Sequence, residues 1–142
     1  MEKCSERVES HYKSRLEDIK MLYSVANGNI PETDEVSSNS FWEYNLCLDF
    51  NCDLGCFRYL ISTGGPSEEI RFYAVQTPKG WKLHSAEFWL MDWFDGANVN
   101  VNKTSEEYAL LEEIFWCYDD IGSLNSVYKE AVDNEMMSAD IQ

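Results

Sequence analysis

Four carboxylates bracket the middle of the chain. Glu68 and Glu69 follow a Gly-Gly-Pro-Ser turn, and Asp92 and Asp95 flank a Trp-Phe pair further on. Acids gathered at one end of a sheet can hold a hard divalent cation through oxygen ligands and support metal-assisted hydrolysis. Glu68, Glu69, Asp92 and Asp95 are therefore the candidate site of a metal-dependent hydrolase or nuclease. Period-two alternation places Arg71 on the same strand face as Glu69. An arginine is protonated at every accessible pH and cannot act as a base. An ion pair from Arg71 to Asp92 or Asp95 that fixes the loop is the simpler expectation.

Other residues with reactive chemistry form weaker patterns. Cys47, Cys52 and Cys56 lie close together, but their x4 and x3 spacings do not match a paired zinc motif. His11 and His84 add no second ligand pair. The five cysteines, an odd number, read as packed or half-packed thiols, with neither a disulfide framework nor a metal site. Ser62 and Ser67 flank the glycine turn, yet "STGGPS" lacks the strand-to-helix elbow of a serine nucleophile. "GGPS" is followed by a strand and has no Gly-Lys-Ser/Thr, which excludes a phosphate loop. No catalytic residue and no cofactor is assigned, and the balance favours a binding protein over an enzyme.

The charge distribution carries a different chemistry. The 142 residues hold a formal net charge of −15. Residues 104–142 contain ten acids and a single base, Lys129. A field of that sign repels phosphates and draws basic surfaces. Glu106, Glu107, Glu112, Glu113, Asp119 and Asp120 fall on a single segment. The first pair suits a helix N-terminus, but the other four lie toward the negative end of the macrodipole. Like charges one turn apart also repel. A repeated local cost of this kind points to a carboxylate pattern kept for binding, with acids on a rigid helix standing in for spaced phosphates.

The elements that must position these groups follow from periodicity. Val8, Tyr12, Leu16, Ile19, Leu22 and Val25 recur at three- and four-residue steps and predict a helix over 5–27, closed by Gly28. The polar stretch 31–40 reads as a loop. Four strands follow within 41–94: "FWEYNLCLDFN" with Tyr44, Leu46, Leu48 and Phe50 on one face, then "CFRYLIS", "EIRFYAV" and "WKLHSAEFWLMDWF". Short turns between them imply an antiparallel meander. The fourth strand is apolar on both faces, Phe88 and Leu90 against Trp89, Met91 and Trp93, which predicts cover on both sides. The helices could supply one cover, and the other could come from a second copy of the chain or from the segment "DGANVNVN", which reads as a loop.

Thr104 and Glu107 form a capping-box pattern. Behind it, Tyr108, Leu111, Ile114, Phe115 and Tyr118 make a buried stripe ending at Gly122. A shorter helix with Leu124, Val127, Tyr128 and Ala131 inward completes an acidic helical part over 104–133, and "MMSADIQ" reads as a frayed tail. The expected fold is α+β over a single domain, 1–142: a four-stranded antiparallel sheet packed by an N-terminal helix and C-terminal helices. The charged start and the lack of any long apolar run predict a cytoplasmic protein that does not engage a membrane.

"GGPSEEIRF" followed by "EFWLMDWFDGA" resembles a signature of small, mostly uncharacterised proteins of phages, plasmids and other mobile elements. The similarity covers residues 54–120. It implies an anti-defence role of the anti-CRISPR or antirestriction type in a bacterial cytoplasm, and it assigns no catalytic residue. The combined expectation is a non-enzymatic inhibitor. Its acidic surface would occupy the basic groove of a nucleic-acid-handling complex without binding nucleic acid itself. The hydrolase above and a regulatory adaptor of a mobile element are the alternatives.

Overall fold

The computed structural model describes residues 3–141. The elements run α1 (Cys4–Ala26), α2 (Ser40–Tyr44), β1 (Cys47–Asn51), β2 (Cys56–Ser62), β3 (Ser67–Thr77), β4 (Gly80–Asp92), β5 (Asp95–Asn100), α3 (Glu106–Asp120) and α4 (Ser123–Ile141). The fold is α+β, with an antiparallel sheet in the order β1-β2-β3-β4-β5. Each strand lies beside its sequence neighbour, as short connections require.

Five strands stand where four were expected. The fifth is "DGANVN", read from sequence as a loop. Its asparagines conceal the period-two signal, and the β4–β5 turn is built on Trp93 and Phe94 in place of the usual Asn or Gly. Residues 41–44 also depart from expectation. They belong to the short helix α2, Leu46 is exposed, and the first strand begins only at Cys47. The apolar alternation from Tyr44 to Phe50 thus crosses a helix-to-strand junction.

Two further boundaries move. The N-cap of α3 is Ser105, whose hydroxyl accepts from the Tyr108 N–H, whereas the Thr104 hydroxyl donates to Asn102 Oδ1. The last helix continues to Ile141, beyond the expected end at 133 and through most of the tail read as frayed; Gln142 lies outside the described residues.

Contacts group the chain into two compact units. The first comprises Met1–Leu46, Leu60–Glu69 and Phe88–Val99. In it, α1 buries Val8, Leu16, Ile19, Leu22 and Val25, the stripe its spacing predicts, with Tyr12 half-buried against Phe88 (ring centroids 5.8 Å apart). α1 packs on α2, whose Phe41 is fully buried against Tyr23. The second unit comprises Cys47–Tyr59, Ile70–Glu87 and Asn100–Gln142. Its core is a run of edge-to-face aromatic contacts. Phe57 meets Phe50 (4.9 Å), Trp81 (4.9 Å) and Phe115 (5.9 Å), and Tyr128 closes on Phe50 (4.8 Å) and Trp81 (5.1 Å). Each such pair adds about 0.5–1.5 kcal/mol beyond the burial of its area.

Glycine is required where β4 begins. Gly80 has φ +121°, and a Cβ there would sit 2.6 Å from Asp119 Oδ2. That oxygen accepts the Trp81 N–H at 3.1 Å, while the Trp81 indole donates to Asn125 Oδ1 at 2.8 Å. Two helices are thereby bound to the start of one strand.

Candidate functional site

The four acids of the hydrolase reading do not converge. Glu68 and Glu69 are adjacent on β3 and alternate to opposite faces. Among the described residues no group of three or more His, Cys, Asp or Glu is placed to hold a metal ion. Three of the acids are committed to α1. Asp92 Oδ2 accepts from Arg7 Nη2 at 2.8 Å. Asp95 Oδ2 accepts from the Cys4 N–H at 2.7 Å, at the positive end of the helix macrodipole, and this holds its carboxyl below the usual range. The ion pair expected from Arg71 to Asp92 or Asp95 is therefore replaced by one from Arg7. Arg71 is itself buried and near Tyr73, whose hydroxyl donates to Glu87 at 2.8 Å.

Glu68 is the most elaborated of the four. It is 4% exposed and accepts from Arg15 through both oxygens, at 2.7 and 3.1 Å. His11 Nδ1 lies 3.0 Å from Oε2, and the Ser62 hydroxyl lies 2.9 Å from Oε1. Burial by itself raises the pKa of this carboxyl. The bonds from Arg15, His11 and Ser62 together outweigh it and bring the value to about 2. Arg15 Nη1 continues to the Tyr44 hydroxyl (3.0 Å), which donates to Asp18 (3.1 Å). With its lone pairs taken by donors and its charge matched, Glu68 is placed to clamp α1 to β3. His11 and Arg15 carry no recognisable motif and were not singled out as a pair by sequence. Their i, i+4 spacing on one helix face is the signal that could have found them.

The cysteines divide differently from expectation. Cys56 is fully buried, but Cys47 and Cys52 are exposed, and all five are thiols outside any disulfide. His84 is exposed.

The acids of α3 present a surface. The inward stripe Tyr108, Leu111, Ile114, Phe115 and Tyr118 is buried as predicted, and its contacts with Phe57, Phe72 and Tyr59 fix the rotation of the helix about its axis. Glu106, Glu107, Glu113 and Asp120 consequently face solvent, and Glu112 is half-buried. Asp119 departs from the expected surface set, because its carboxylate is used to hold the Trp81 N–H. Trp116, 51% exposed, sits between Glu113 and Asp120 on the outer side of the helix. Sequence reasoning passed over it, although position 116 falls outside the apolar stripe.

The six carboxylates of this 15-residue helix average one per about 4 Å of axis, close to the 3.4 Å per charge of one nucleic-acid strand. The four exposed ones average one per about 6 Å. α3 contains no Lys or Arg.

Over residues 88–91 the fourth strand is fully buried on one face and half-buried on the other, and its tip is bare. Phe88 and Leu90 are fully buried, Trp89 and Met91 are half-buried, and Trp93 and Phe94 are exposed at 83% and 106%. No helix of the described residues is long and apolar enough to cross a membrane. No protein-family model, curated protein or solved structure matches the chain.

Proposed function

We propose that this protein is a non-enzymatic inhibitor carried by a mobile element. It acts in the bacterial cytoplasm by setting the acidic face of α3 into the basic groove of a nucleic-acid-handling defence complex, of the CRISPR-effector or restriction-enzyme kind. One observation carries the reading: Glu106, Glu107, Glu113 and Asp120 lie outward on a helix whose inward side is held by aromatic packing. Carboxylates on a fixed frame meet a cationic groove without the entropy cost of ordering a flexible acidic tail. The net charge of −15 speeds the encounter. The resemblance of the GGPSEEIRF and EFWLMDWFDGA segments to mobile-element proteins supports the same assignment. The hydrolase alternative has less behind it, since Glu68, Asp92 and Asp95 each satisfy a donor of α1.

The test is a pull-down from bacterial lysate with the wild-type chain and with Glu106→Lys/Glu113→Lys/Asp120→Lys. Wild type should recover a nucleic-acid-binding effector or nuclease and compete with its DNA or RNA. The charge-reversed variant should bind at least about 30-fold more weakly with a shallower salt dependence. Recovery of the same partner at equal strength by both chains would refute phosphate mimicry.

A further inference from the structure

We propose that the Trp93–Phe94 tip of the β4–β5 hairpin is a hydrophobic anchor, which inserts into an apolar pocket on a positively charged protein partner. The proposal rests on the reading above for the partner's charge. The tip combines two properties that a turn does not need. Trp93 has φ +57° and is the non-glycine residue with positive φ among those described. A hairpin turn in that conformation favours Asn, Asp or Gly, and a bulky residue there is a strained outlier. Its ring is also 83% exposed, and Phe94 beside it is fully exposed. Neither the turn nor the core of the unit gains from these side chains.

The base of the tip is braced. Asp92, on one side, is paired with Arg7, and Asp95, on the other, takes the first N–H of α1, with the Cys4 thiol 3.6 Å from the Asp95 carbonyl. Two large rings are thus displayed on a base held at both ends, so the backbone loses little freedom on docking and only the two side chains remain to be ordered. Exposed tryptophan of this kind is typical of residues that dominate binding energy.

Charge selects the occupant. Nucleobase stacking requires accompanying cations to hold the phosphates, and this chain carries −15. An anionic leaflet is repelled for the same reason. A second copy brings an equal charge of the same sign. A cationic protein surface with an apolar pocket is attracted by the field and filled by the rings.

The test uses Trp93→Gly/Phe94→Asn, which puts glycine at the first central position, where the turn has its positive φ. Its Tm should equal or exceed that of wild type, by up to about 4 °C. A fall of more than about 5 °C would mean that the rings are structural and overturn the proposal. Wild type, this variant and the α3 charge reversal are then immobilised and offered the same nucleic-acid-depleted bacterial lysate at stepped salt. The expected result is a basic protein held by wild type and about 30-fold or more weaker on the tip variant, with unchanged salt slope. Retention insensitive to the tip substitution sinks the anchor alone. Retention that depends on the tip but not on α3 sinks the acidic face alone, and retention of no basic protein by wild type sinks both. Tip-dependent flotation with phosphatidylcholine or phosphatidylglycerol vesicles, or tip-dependent dimerisation in sedimentation equilibrium, would also overturn the assignment to a protein partner.

Discussion

Replacing Glu68 by Gln removes one charge from the centre of the α1–β3 clamp and leaves the shape almost unchanged. The carboxyl has a folded-state pKa of about 2 against an ordinary value of 4.5. A depressed carboxylate pKa stabilises the fold above the unfolded value, and that contribution is lost as pH falls through the folded value. The full difference corresponds to about 3 kcal/mol at neutral pH. Arg15 and His11 retain side-chain exposures of 29% and 31%, so water replaces part of what the glutamine cannot accept. A net loss of about 2–3 kcal/mol at pH 7 is expected.

The assay is urea denaturation of wild type and Glu68→Gln, followed by far-ultraviolet circular dichroism, from pH 7 down to pH 2.5. The stability gap should hold between pH 7 and 5. It should narrow below pH 4.5 to about half or less by pH 3, as the carboxylate of the unfolded chain takes up its proton while the folded one stays ionised. A gap that stays constant to pH 3, or one below about 0.5 kcal/mol at pH 7, would refute the ion-pair account of the clamp.

Three further outcomes follow from other contacts. Gly80→Ala should cost about 2–4 kcal/mol in chemical denaturation, because a side chain at φ +121° is strained and its Cβ displaces the Asp119 carboxylate from the Trp81 N–H. In an Asp119→Ala background the same change should cost less, since the close approach is gone while the backbone strain stays. Ser105→Ala should lower stability by about 1 kcal/mol, or roughly 3–4 °C in Tm, and Thr104→Ala by a few tenths, because Ser105 caps α3 and the Thr104 hydroxyl bonds only to exposed Asn102. Millimolar Mg2+ or Mn2+ should leave Tm unchanged, since Glu68, Asp92 and Asp95 already satisfy donors on α1; a rise of several degrees would favour the hydrolase alternative over the inhibitor.

Much of the architecture was legible in the chain itself, for local reasons. A helix turns 100° per residue and a strand 180°, so apolar spacing alone says which side of an element is buried. That sufficed for the Val8–Val25 stripe of α1 and the Tyr108–Tyr118 stripe of α3, while the backbone freedom of Gly64 and Gly65 marked the hairpin turn. It also placed Glu106, Glu107, Glu113 and Asp120 outward, because the same stripe that buries one side exposes the other.

What periodicity does not encode is the partner. Asp95 meets Cys4 across 91 positions, Asp92 meets Arg7 across 85, and Glu68 meets Arg15 across 53. Asp119, which reads as one more surface acid, instead meets the start of β4. β5 was hidden for a related reason: a strand is completed by the hydrogen bonds of its neighbour, and β4 supplies those to residues whose own composition suggests a loop. The sequence by itself determined the elements and their buried sides, which depend on neighbours a few residues away. Only the tertiary structure decided which carboxylates are consumed in holding helices to the sheet and which remain at the surface, because that depends on groups brought together by packing and not by spacing along the chain.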